Sequence, residues 1–141
     1  MQVNVILLLV LTAILWGITP IMEKKGLQST SPLVGLVFRN FTVSFILILA
    51  VLFMNKTREV FTTSSRDMIL FGLSGIIAGL LAMVTYFSAL KLGATSQIVP
   101  IAATYPLITA IISILLLGEQ LTFIRIIGIV LIIIGIWLVK I

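Results

Sequence analysis

The run MILFGLSGIIAGLLAMVTYFSAL, Met68 to Leu90, decides the fold. It holds 23 residues without a charge. A helix rises 1.5 Å per residue, so this run covers the roughly 30 Å of a bilayer's hydrocarbon. It does not alternate in polarity as a barrel strand would. Working outward, the few charged residues mark off four more apolar runs: 3–22, 32–54, 96–117 and 123–139. The reading is an all-α membrane protein of five transmembrane helices, spans one to five, in a single domain over residues 1–141. Composition agrees. Of 141 residues, 61% are hydrophobic and 9% charged, with mean hydropathy +1.36. A soluble domain carries about 25% charged residues, so this chain has too few to cover a water-facing surface.

The connections are short, which makes consecutive helices antiparallel neighbours. Glu23-Lys24-Lys25-Gly26 closes span one, and Ser31 with Pro32 opens span two as N-cap and first helical residue. Residues 55–67 form the longest loop. Gly118 ends span four in the left-handed conformation, Thr122 caps span five, and Glu119 lies near that positive helix end. Span one is a retained helix. No basic residue precedes it, and Trp16-Gly17-Ile18-Thr19-Pro20 is not a cleavage site.

Five spans put the termini on opposite sides. Lys56, Arg58, Arg66 and Arg125 flank one side; Lys24, Lys25, Lys91 and Lys140 flank the other. Orientation follows Lys/Arg asymmetry, and four against four gives none. Two readings stand. Subtler signals choose one orientation, or copies insert both ways and pair antiparallel.

The net charge of +5 points to lipid headgroups and not to nucleic acid. No Cys and no His are present, which removes thiolate metal sites and the commonest proton shuttle. The glycines from Gly72 onward lie in an apolar span, so no phosphate-binding loop and no cofactor motif is read. An intramembrane enzyme has neither a His base nor an embedded carboxylate pair to use.

Small residues mark helix packing: Gly75 and Gly79 in span three, Gly128 and Gly135 in span five. Pro106 interrupts span four, taking away its own N–H and the partner of the Ala102 carbonyl. Such breaks are tolerated where protein or a wet cavity satisfies the backbone. Gln97, Thr104 and Tyr105 lie nearby, so this region either kinks for packing or lines a pathway. Arg39 is the one charge well inside a span. It pairs with Glu23, or it faces an anionic group of a substrate. No Asp or Glu falls within the five spans as bounded, which disfavours a proton antiporter with an embedded carboxylate. Trp16 and Tyr86 complete the pathway candidates, and both also suit an interfacial belt, as does Trp137 beside Lys140.

These residues resemble the EamA-type repeat of the drug/metabolite transporter superfamily. Leu15-Trp16-Gly17, Lys24, Lys25, Ser31-Pro32 and Arg39 look like its first helix pair. Tyr86-Phe87-Ser88-Ala89-Leu90, then Pro106, then Leu116-Leu117-Gly118-Glu119-Gln120-Leu121 and Gly128 with Gly135 follow in the order of its later helices. The resemblance implies a carrier or exporter of small metabolites or drug-like solutes by alternating access. Relatives hold two inverted repeats, ten helices in all, and this chain matches one. A carrier then needs an antiparallel homodimer or a paralogous partner in the bilayer, most simply a prokaryotic inner membrane. The alternative is a non-transporting subunit that stabilises another carrier. The four-helix multidrug members carry a Glu in their first helix that span one as bounded here lacks.

Overall fold

The computed structural model describes residues 3–118, 120 and 122–140, with the backbone alone for Val3, Arg125 and Lys140. Met1, Gln2, Glu119, Leu121 and Ile141 lie outside the described residues, and with them the expectations placed on Glu119 and on the N-terminal flank. The described residues form helices without strands. They divide into two compact units, the first reaching Lys91 and the second starting at Leu92.

In the first unit, α1 runs Val3–Leu27. It is five residues longer than span one, which stopped at Met22. Charge alone does not end a helix: Glu, Lys and Lys are good helix formers, and here two of these side chains find partners. Pro20 sits inside α1 and has no N–H to return to the Trp16 carbonyl. The hydroxyls of Thr12 and Thr19 donate to the Leu8 and Leu15 carbonyls, both at 2.8 Å.

α2 spans Pro32–Phe53, within one residue of expectation. Ser31 caps it from extended backbone, accepting from Val34 N at 3.4 Å. Asn55 ends it with φ 54°. Lys56 N donates to Val51 O at 2.9 Å and Asn55 N to Leu52 O at 3.2 Å. These two bonds form a Schellman closure, with Asn in the place glycine usually takes.

The 55–67 stretch is not all loop. A single turn, α3, covers Thr57–Phe61, beside a Lys56–Glu59 ion pair. α4 starts at Ser65 and runs to Ser74. Ser64 accepts from Asp67 N at 3.2 Å and donates to Asp67 Oδ2 at 2.8 Å. This reciprocal cap starts the third crossing three residues before Met68. A π-helical segment, Gly75–Leu81, follows, and α5, Ala82–Leu92, completes the crossing.

In the second unit, α6 is Thr95–Ala102 and α7 is Tyr105–Leu117. The fourth crossing therefore breaks at Ala103 and Thr104, as the missing N–H of Pro106 requires. Pro106 is not in mid-helix: it falls in the first turn of α7, where proline fits. Thr104 Oγ1 donates to Ile101 O at 2.8 Å across the break. Gly118 ends α7 at φ 65°. α8, Phe123–Lys140, begins directly after Thr122, whose carbonyl accepts from Ile126 N at 3.2 Å.

Four described helical stretches are long and apolar enough to cross a membrane: Asn4–Leu27, Pro32–Phe53, Ser65–Leu92 and Thr95–Leu117. The fifth is shorter, with Ile126–Val139 as its apolar part.

Candidate functional site

The packed part of the first unit lies at one end, where α1 finishes, α2 starts and α5 finishes. Leu27, Leu36, Phe87 and Leu90 are at most 3% exposed. Gly35 of α2 faces this cluster. A Cβ there would lie 3.7 Å from both Leu27 Cδ2 and Phe87 Cε2. Tyr86 and Phe87 stand with ring centres 6.3 Å apart, tilted by 50°. Away from this end the helices are open, with Leu7, Leu47 and Ile69 between 59% and 69% exposed.

Charged groups sit on this apolar cluster. Lys24 Nζ donates to the carbonyls of Leu90 at 2.6 Å and Lys91 at 3.1 Å. Lys91 Nζ donates to Thr30 O at 2.8 Å. Leu90 and Lys91 lie in the last turn of α5, where helix carbonyls have no partner within the helix and a cation also suits the helix dipole; Thr30 lies in the turn before α2. Sequence reading used these lysines to bound spans, to weigh orientation and, for Lys24, in the family resemblance, but not as partners of carbonyls. Their place in the last turns of two helices was the signal for the second role. Lys24→Met keeps the stem and removes both donors. It is expected to cost about 1.5–3 kcal/mol, the scale of hydrogen bonds to a charged group, read as a lower melting temperature in detergent.

Arg39 Nε stands 3.8 Å from Glu23 Oε1, so the expected pair forms. The Glu23 side chain is 11% exposed and that of Arg39 40%. Because α1 continues past it, Glu23 now lies inside the apolar stretch Asn4–Leu27. Asp67 likewise falls in the first turn of the crossing Ser65–Leu92, so the statement that no acid lies within a span is corrected at both residues.

The other candidates are distributed as follows. Trp16 is exposed on α1, and Tyr86 is half-buried beside Phe87. Trp16 is also the residue whose carbonyl loses its partner to Pro20. Gln97, Thr104 and Tyr105 belong to the second unit, Gln97 and Tyr105 exposed and Thr104 half-buried at the break. Gly75, Gly79, Gly128 and Gly135 have nothing within 4 Å of a built Cβ among the described residues. Lys24, Leu27, Gln28 and Lys91 line a small pocket of about 160 Å³ at the packed end.

An all-helical chain of apolar crossings, with an Arg on its second helix and a proline break in its fourth, invites comparison with known carriers. Residues 3–141 match the EamA-like transporter family. The chain belongs to that family. It is a multi-pass membrane protein with the fold of half an EamA carrier. An uncharacterized protein of Methanocaldococcus jannaschii is 35% identical over 95 residues, which are 67% of this chain and 69% of that protein. No solved structure matches the chain.

Proposed function

We propose that this EamA-type chain is one half of a carrier for small metabolites or drug-like solutes. Two five-helix units, oppositely inserted, enclose a path that opens to alternate sides of the membrane. The second unit is another copy or a paralogue, and the membrane is a prokaryotic inner membrane. The chain acts as an exporter or exchanger and not as an enzyme.

The match to a transporter family over residues 3–141, a region holding only five apolar crossings, carries this reading. The relative supports it. The same 95 residues are nearly equal shares of both chains, so the relative is also about one repeat long. Balanced flanking cations support insertion in both directions. The open glycine faces of the third and fifth crossings suit close contact with another helix.

Reconstitution of the pure protein into vesicles tests the proposal. Counterflow of a panel of labelled small solutes is expected from this chain alone if the pair is a homodimer. Flux that appears only with a second EamA protein points to a paralogous pair. Absence of flux in both settings favours a stabilising subunit over a carrier.

A further inference from the structure

We propose that the Arg39 guanidinium is an oxyanion-binding group, taking a carboxylate or phosphate that enters between α1 and α2. The inference rests on the carrier reading only in treating the bound group as cargo; the binding chemistry stands without it. Arg39 lies seven residues into α2, about 10 Å along the helix axis from Pro32. At that depth an unmatched charge is costly. Yet its one ion-pair partner among the described residues, Glu23, is 3.8 Å away. That is an ion pair and not a hydrogen bond. None of the guanidinium N–H groups makes a hydrogen bond among the described residues, and its side chain is 40% open. The neighbouring cations are committed elsewhere: Lys24 to the Leu90 and Lys91 carbonyls, Lys91 to Thr30 O.

A guanidinium presents five donors in a planar fork that matches two oxygens of a carboxylate or phosphate. Glu23, held sideways at Nε, neutralises the charge without filling the fork. An arriving oxyanion gains the free N–H groups and competes only with that loose contact. The oxyanion has two possible sources, a dissolved solute or the headgroup of a lipid reached by snorkelling.

The full chain in dodecyl maltoside micelles, which carry no oxyanion, separates these cases. Benzoate, its cationic counterpart benzylamine and short-chain phosphatidylglycerol are titrated against wild type, R39Q and E23Q. Benzoate is expected to bind while benzylamine does not. R39Q should weaken benzoate binding about tenfold or more, the scale of one lost charge-assisted hydrogen bond. E23Q removes the competitor and should tighten binding, which keeps the test decisive if R39Q does not fold. Arg39-dependent binding of phosphatidylglycerol in place of benzoate assigns the same fork to a lipid. Equal binding of both probes by wild type and R39Q overturns the proposal, as does weaker benzoate binding by E23Q. Because binding is read without transport, a subunit that moves nothing can still pass, and a working carrier without this site fails.

Discussion

Phe87→Ala is expected to lower the stability of the folded chain by about 3 kcal/mol, the lower end of the range for large aromatic truncations in a core. Phe87 is 3% exposed and fills the space against Gly35 and Leu27 that three helix ends share. Lipid tails are as apolar as the ring, so part of the transfer term seen in water is absent. What remains is the void, whose lining loses its dispersion contacts. So few described residues are buried that no other cluster in the first unit makes up the loss. Phe41→Ala serves as control: that ring is 71% exposed, and its removal should stay within about 0.5 kcal/mol. Reversible unfolding in mixed micelles reads both. Equal losses from the two substitutions would show that the packed end is not the stabilising one.

Biasing the flanking charges is expected to abolish transport and co-expression to restore it. Arg58→Gln with Arg66→Gln leaves two cations against four. Lys25→Gln with Thr63→Lys gives five against three in the opposite sense. All four positions are exposed, and none is among the buried residues of the packed end. Each biased variant inserts one way, so an antiparallel homodimer cannot form, and transport should fall below about a tenth of wild type. Together the two variants supply both orientations, and activity should return. Full activity from either variant alone would rule out an oppositely inserted copy and leave a paralogue or a fixed orientation.

The crossings were legible because lipid imposes one overriding demand, an uninterrupted apolar length, and the sequence writes it plainly. Local stereochemistry was legible too. Ser31-Pro32 starts α2, Gly118 stops α7 at positive φ, and Pro106 breaks the fourth crossing. Errors fell where a charged residue keeps its helix by finding a partner. Glu23 and Lys24 seemed to end span one, but their side chains meet Arg39 and the Leu90 carbonyl, which lie 16 and 66 residues away. Such contacts have no local pattern. Ser64-x-x-Asp67 did have one, the reciprocal cap, and it sets the true start of the third crossing. Arg39 with Glu23 was foreseen as a pair because the two fall at the same level. The place of Gly35 against Leu27 and Phe87 was not, since a single glycine in a helix carries no sign of which neighbours it faces. The π segment at Gly75–Leu81 likewise has no pattern in the sequence that distinguishes it from ordinary helix.

The gathering of α1, α2 and α5 at one end has a mechanical meaning. Rods clasped at one tip turn about that tip, and displacement grows with distance from it. From Leu27 to Asn4 is about 35 Å of helix, so a swing of about 10° carries the far tip about 6 Å while Leu27, Gly35 and Phe87 keep their contacts. The clasp fixes one end of the three helices, so any small angular adjustment that leaves it intact displaces their far ends most.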